Sequence, residues 1–471
     1  MLSFTDRLTR EALPAYFSSK WRPRYHFSIP RGFMNDPHNP VFFNGEYHVF
    51  FQYYPLEPQA VRPKCWGHAV TRDFYSWELL PTAIAPDTPI DRDGCASGAV
   101  VVQDEKLWLF YTGRNYYHEP REVICAAVSQ DGIHFKKSDR NPIIQPEERD
   151  SLMDFRDPNL YSGPDGKFYM LVGTRREQKP LLRRYTAGNS LIDWHSPIDF
   201  LLPPANTGFM WECPCFTMEK GEPVLLLSPE HIDGVRQKSV YVSGKMQPDG
   251  SLSFETRQDA DRGGDYYAAQ FFRNQQGELM SLAWMSKWDN QLPTQKEGWA
   301  GIFTAPRRLY RDAAGKIRGE FLPPESLRLP RTRELQGSPE NPLCFVQSNS
   351  YYLELELLRQ EAPAQLAFFC GNHPGLTLTV DWTAGQVHVH NHTVSHGGHI
   401  HSFPLPDLET GKLHLQVLAD VCCLELCLNH LEFVTHCVYS EGTGVSANVS
   451  REKLRVLDYY EVADASIQTR E

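Results

Sequence analysis

Tyr47-His48-Val49-Phe50-Phe51-Gln52-Tyr53 is a short, mostly apolar run that begins just past the turn pair Asn44-Gly45. A run of this length, rich in aromatics and bounded by turn residues, reads as a strand buried on both faces. Four more segments have the same character: LWLFYTG from Leu107, FYMLVGT from Phe168, PVLLLSPE from Pro223 and LMSLAWMS from Leu279. The five starts are 60, 61, 55 and 56 residues apart. Between them a second signature recurs, a small or polar residue, a turn and an aromatic. It ends at Trp77, Phe135 and Trp194 and more weakly at Phe254, spaced 58, 59 and 60. Two independent series sharing one period mark a repeat. Each unit has room for several strands joined by tight turns such as Asp131-Gly132 and Asp165-Gly166. Five four-stranded units predict an all-β fold, a five-bladed β-propeller over 22–321.

The pattern changes after Phe321. Proline-rich stretches at Leu322-Pro323-Pro324 and Gly337-Ser338-Pro339 bracket a connector, 322–342. Beyond it, Tyr352 to Leu357, Leu376 to Val380 and Leu413 to Val417 alternate with period two. Half-buried antiparallel strands of this kind predict a C-terminal β-sandwich over 343–471. Residues 1–21 form a separate N-terminal segment, with one helix expected from Asp6 to Leu13 and stopped by Pro14.

Composition bounds the function. The 471 residues fit two large domains or three ordinary ones, and 57 aromatics (10 Trp, 21 Tyr, 26 Phe) argue for a large core over disorder. Acidic residues exceed basic ones, 58 to 47, which argues against nucleic acid as a partner. No apolar stretch has the length of a membrane helix, and the first residues lack a secretory core, so no membrane partner and a cytoplasmic location are expected. The 11 cysteines, odd in number and without a CxxC pair, read as reduced thiols. The histidines at 388, 390, 392, 396, 399 and 401 share an exposed hairpin without acid or cysteine partners. They read as an adventitious metal binder, so no metal and no cofactor is called for.

Eleven residues before each of the five strand starts lie Asp36, Ala96, Asp157, Glu212 and Ala268. Three carboxylates at one repeat phase should converge at one end of a propeller axis, although any single Asp more often caps a turn. Such a cluster suits either a metal held by oxygen ligands or glycoside hydrolysis. The alternating Asp/Asn/Gly pattern of a calcium loop is missing. Phe33, Trp66, Phe155, Trp211 and Tyr267 offer faces for sugar rings, and Gln52, His68 and Arg156 offer groups for hydroxyls. Glycoside hydrolysis is the better reading.

Phe33-Met34-Asn35-Asp36-Pro37, Phe155-Arg156-Asp157-Pro158 and Trp211-Glu212-Cys213-Pro214 resemble the three signature motifs of glycoside hydrolase family 32. Cys65-Trp66-Gly67-His68-Ala69, Ser97-Gly98, Asp265-Tyr266-Tyr267-Ala268 and Gly298-Trp299-Ala300-Gly301 add to the resemblance in the family's order. It implies the same propeller-plus-sandwich fold, with Asp36 as nucleophile, Glu212 as general acid/base and Asp157 as transition-state stabiliser beside Arg156. Asn35, Gln52, Trp66 and Ser97 match positions lining the fructose pocket, and Asp265 and Tyr267 are read as further substrate-binding positions. The implied activity is retaining hydrolysis of terminal β-D-fructofuranosides, sucrose foremost, through a fructosyl-Asp36 intermediate, with the two carboxyls about 5–5.5 Å apart. Sucrose 6-phosphate, which Arg62 and Lys64 could meet, and fructan hydrolysis or transfer stay open as alternatives. So does a non-catalytic fructan-binding protein. The departures are Phe33, His38, Asn39, Ala96 and Cys215; Ala96 replaces an aromatic, which would either widen the pocket or let another group fill it. In the C-terminal part, Asp420-Val421-Cys422-Cys423-Leu424-Glu425 only loosely echoes the family's strand.

Overall fold

The structure, a computed structural model, describes residues 3–470, apart from 61–62, 205–206, 289–290, 330–343, 346–347 and 394–398. Arg62, His396 and most of the expected connector lie outside the described residues.

The chain is nearly all β. All five apolar runs are strands, Glu46–Tyr54, Lys106–Arg114, Phe168–Arg176, Glu222–Ile232 and Leu279–Met285, each the second strand of its sheet in chain order and antiparallel to its neighbours. The first strands of those sheets are β1 (Gly32–Phe43), β2 (Gly94–Gln103), β3 (Phe155–Ser162), β4 (Met210–Glu219) and β5 (Tyr267–Arg273). Each lies beside the next, and β5 also lies against β1.

The lack of a polar face in these runs has a direct cause. Successive side chains of a strand point to opposite faces, and here both faces meet another sheet. Phe50 enters an apolar cluster with Leu107 and Leu109 of the second sheet, while Val49 and Phe51 join Phe272 and Leu282 of the fifth. Phe110 packs with Met170 and Val172; Leu171 turns the other way, to Leu225. Val224 and Leu226 then meet Phe271 and Ala283. Apolar clusters thus alternate with sheets around the N-terminal part.

The period-two strands after residue 348 behave as expected of half-buried strands. Leu353, Leu355, Leu357, Leu415 and Val417 of one five-stranded sheet share a core with Leu366, Phe368, Leu378 and Val380 of a six-stranded one. Tyr352, Leu418 and Phe433, on the opposite face, pack on the fifth N-terminal sheet.

A buried charge knot joins the two parts. Asp420 accepts from the amides of Arg24, Tyr25 and His26 at 2.7–2.9 Å and from His26 Nδ1 at 2.9 Å. Glu425 faces His26 Nε2 at 3.1 Å and Arg307 Nη2 at 3.2 Å, and Arg307 also reaches Asp261 at 2.7 Å. The weak motif around Asp420 and Glu425 therefore contributes a joint between the two parts.

Two local expectations need correction. The helix α1 runs Phe4–Ala12, capped by Ser3, and Pro14 does not end helical structure; it enters a 3₁₀ turn, Leu13–Ser18, near its start, where a missing N–H costs nothing. The last strand, Ile467–Thr469, returns to the outer edge of the first sheet beside Trp77–Ile84. No helix among the described residues is long and apolar enough to cross a membrane.

Candidate active site

The repeat phase picked out by Asp36, Ala96, Asp157, Glu212 and Ala268 falls on β1 to β5, and each strand slips register there. The slips lie at Asn35/Pro37, Ala96/Gly98, between Arg156 and Asn159, at Glu212/Cys215 and at Tyr267/Gln270. A β-bulge adds one unpaired residue and re-aims a side chain. Positive φ at Asp36 (22°), Asp157 (60°), Cys213 (47°) and Ala268 (52°) marks the same kink. Pro37, Pro158 and Pro214 follow at once; proline lacks a donor N–H and is tolerated where the ladder is already broken.

The kinks bring Asp36, Asp157 and Glu212 to one cavity of about 440 Å³, also lined by Gln52, Tyr54, Lys64, Ala96, Ser97, Arg114, Arg156, Arg236 and Trp288. Asp36 is buried and held by three donors. Asn35 Nδ2 reaches its Oδ1 at 2.8 Å, and Gln52 Nε2 (2.7 Å) and Ser97 Oγ (2.6 Å) reach Oδ2. Burial still raises its pKa, with Glu212 adding to the effect against the pull of Ser97 and Asn35. Asp157 accepts from the Cys213 amide at 3.0 Å. Its pKa rises to about 7 through burial and the charge of Glu212, against Arg156. The Cys213 thiol lies 3.8 Å from Oδ2 of both Asp36 and Asp157, filling the space between them. Glu212 takes Arg156 Nε on Oε1 at 3.0 Å and the Tyr267 hydroxyl on Oε2 at 2.7 Å.

Several expected sugar contacts sit elsewhere. Trp66 does not line the cavity; it is wholly buried, its ring 3.8 Å from that of His38 and its Nε1 donating to Ala96 O at 3.0 Å. Asn35 and Tyr267 act one step back, on Asp36 and Glu212. Asp265 is turned away: it accepts from the Cys437 amide at 2.9 Å, faces His436 and lines a neighbouring cavity of about 750 Å³. That cavity shares Arg236 and Trp288 with the first.

Arg156, expected beside Asp157, is also the hub of the acids, meeting Glu122, Asp154, Glu212 and Glu230 at 3.0–3.3 Å; Glu122, Asp154, Glu230 and Trp288 were not anticipated. Trp288 stacks on Phe33. Lys64 lines the cavity, and burial, with Arg114 nearby, brings its pKa down to about 7. Glu230 could have been found from the hairpin at Lys220-Gly221, whose register sets Glu212 opposite Ser228, two residues from Glu230.

The profile of the Glycosyl hydrolases family 32 N-terminal domain matches residues 26–318. The sucrose-6-phosphate hydrolase of Zymomonas mobilis is 38% identical over 313 residues, 62% of this chain and 60% of that protein. The raffinose invertase of Escherichia coli is 36% identical over 316 residues, 64% of each chain. The chain thus covers less than two thirds of the length of these relatives. The structure of a family 32 β-fructofuranosidase from Bombyx mori superposes with a TM-score of 0.83 at 26% identity, covering 98% of both chains. The chain belongs to glycoside hydrolase family 32.

Proposed function

We propose that the protein is a retaining β-fructofuranosidase that hydrolyses terminal β-D-fructofuranosides, sucrose foremost. Its scaffold in this reading is a five-bladed propeller over 22–321, linked through 322–342 to a β-sandwich, with the last strand, Ile467–Thr469, back on the first propeller sheet. The observation that carries the reading is the difference between two acids in one cavity. Asp36 is gripped by side-chain donors that favour its anion, whereas Glu212 lies among carboxyls and accepts from Tyr267 and Arg156.

Glu212 protonates the glycosidic oxygen while an oxygen of Asp36 attacks C2 of the fructosyl unit, and the C2–O bond to glucose breaks. The fructosyl unit is then an ester of Asp36, and Glu212 is a carboxylate. It takes a proton from a water whose oxygen attacks C2, releasing fructose and restoring both acids. Asp157 and Arg156 bind the fructosyl hydroxyls as positive charge grows on the ring. Asn35, Gln52 and Ser97 hold Asp36 in line, and Tyr267 orients Glu212. Trp66 and Asp265 support the walls without touching sugar.

A second substrate has a specific observation in its favour. Lys64 and Arg236 line the same cavity as the acids, as groups that would bind a phosphate, and the Zymomonas relative is named for sucrose 6-phosphate. Glucose release from sucrose, absent in Asp36→Asn, tests the main reading. Failure of the wild-type protein to release glucose would reject it. A kcat/KM for sucrose 6-phosphate far above that for sucrose, lost in Lys64→Met, would make the phosphorylated sugar the substrate.

A further inference from the structure

Glu230 has no part in the reading so far, yet its carboxyl lies at the centre of the charge cluster. It stands on the strand Glu222–Ile232, whose register with β4 sets Ser228 opposite Glu212 and Glu230 opposite Met210. Glu212 and Glu230 therefore project from one face of the sheet as diagonal neighbours, within reach for long side chains. Arg156 bridges them, giving Nε to Glu212 at 3.0 Å and Nη2 to Glu230 at 3.3 Å.

We infer that Glu230 is a positioning residue for the general acid: it shares Arg156 with Glu212 and so offsets the pull of that guanidinium on the acid. This rests on the assignment of Glu212 as acid/base. The groups that act most strongly on Glu230 come from three neighbouring strands. From β3 and the residue before it come Arg156, Asp157 and Asp154; Glu212 comes from β4, and Tyr267 from β5. Glu122 and Asp154 have second cations, Arg114 and Arg175, whereas Glu212 and Glu230 meet at Arg156 and divide its guanidinium between them. Burial and the charge of Glu212 raise the pKa of Glu230 to about 7, against Arg156. Groups that interact this closely lose their protons in steps that belong to the set. Each carboxylate that ionises makes the next proton harder to remove, so a cluster containing Glu230 yields its last proton at a higher pH than one without it.

The arrangement also explains how Glu212 can rest against an arginine and still serve as an acid. Arg156 alone would favour the carboxylate. With Glu230 drawing on the other side of the same guanidinium, that preference is offset, and after the glucose has left, Arg156 can still receive the newly charged Glu212.

The test is the pH dependence of kcat/KM for sucrose, whose alkaline limb reports loss of the acid's proton in the free enzyme. Glu230→Gln keeps the shape and removes the charge; its alkaline limb should move down by about one pH unit, with activity on the acid side of the profile reduced only a few-fold. Glu230→Asp keeps the charge but draws it back, so its limb should fall between the two, which also covers a Gln variant that folds poorly. A uniform fall in kcat/KM at every pH, with the limb unmoved in both variants, would mean that Glu230 only holds Arg156 in place and would overturn the inference. Glu212→Gln separates the underlying assignment. If the alkaline limb persists in Glu212→Gln, Glu212 is not the acid; if it disappears there but stays unmoved in both Glu230 variants, only the role of Glu230 is lost.

Discussion

Arg307 and Arg156 are both buried among acids, and they do opposite things. Arg307, at the joint between the two parts, is fully enclosed with Asp261 and Glu425, and His26 and Asp420 beside them are equally sealed. Burial alone would neutralise Glu425, but His26 and Arg307 hold its pKa below the usual carboxylate value. Backbone amides of Arg24, Tyr25, His26 and Ala305 absorb the remaining acidic charge. Arg156 instead meets four carboxyls, and two of them, Glu212 and Glu230, keep 18% and 25% of their side chains exposed. The joint is matched and closed, so its charges are fixed. The cavity is open to solvent, and there Glu212 and Glu230 divide one guanidinium, so their protons can move.

The sharpest way to break this comparison is to remove each arginine. Arg307→Met leaves Glu425 and Asp261 buried without their partner and should cost about 3–5 kcal/mol of stability. The folded fraction should keep its kcat. Arg156→Met should cut kcat/KM by roughly 10²-fold or more, since it loses both a sugar contact and the grip on Glu212, with a much smaller drop in Tm because solvent reaches the acids it leaves behind. Denaturant melts beside kinetics distinguish the two. Equal losses of stability would erase the distinction.

The next effect is one of sign. Asp157 has its folded pKa raised to about 7, so the folded state holds a proton that the unfolded chain has already released above about pH 4. Stability from this group is present at low pH and is lost as pH rises through 4 to 7. Asp157→Asn removes the charge, and at pH 8 it should melt higher than the wild type, by about 1–2 kcal/mol, with the advantage fading towards pH 4. Lower stability of the variant at pH 8 would show that Asp157 is structurally satisfied.

His26 gives a smaller effect at the joint. Burial opposes its proton, but hydrogen bonds and charge from Asp420 and Glu425 raise its pKa to about 9. Its stabilisation is complete below the unfolded value near 6.5 and is lost as pH climbs from there through 9. Thermal melts of the wild type should fall across that window by about 1–2 kcal/mol, and His26→Gln should be flatter. A wild-type curve as flat as the variant's would mean that His26 is neutral in the knot.

What the sequence disclosed follows the same divide. Runs such as Leu107 to Gly113 were legible because sheets cover both faces, leaving no polar alternation. The common phase of Asp36, Asp157 and Glu212 was legible because each repeat puts its bulge at the same step. The depth of Trp66 was not: whether an aromatic lines a cavity or packs beneath it depends on a neighbour such as His38. Asp265 was misread because a strand 172 residues later supplies the amide that turns it away. Glu230 depended on hairpin register, and the His26–Asp420 pair spans 394 residues. Local pattern shows which strands exist and where they kink. Partners chosen by tertiary packing leave no periodic trace.

The central claim, that Asp36 attacks and Glu212 moves the proton, has one direct test. Glu212→Gln is given a fructoside whose acidic aglycone leaves without protonation, and the protein's intact mass is followed with and without azide. Fructosylation should survive while hydrolysis stalls, so one fructosyl unit should accumulate on Asp36, and azide, which needs no base, should clear it and restore turnover. Loss of the proton-transfer group should slow sucrose by ~10²–10⁴-fold while sparing this substrate. If both substrates slow equally, no adduct forms and azide has no effect, Glu212 is not the acid/base and the account is wrong.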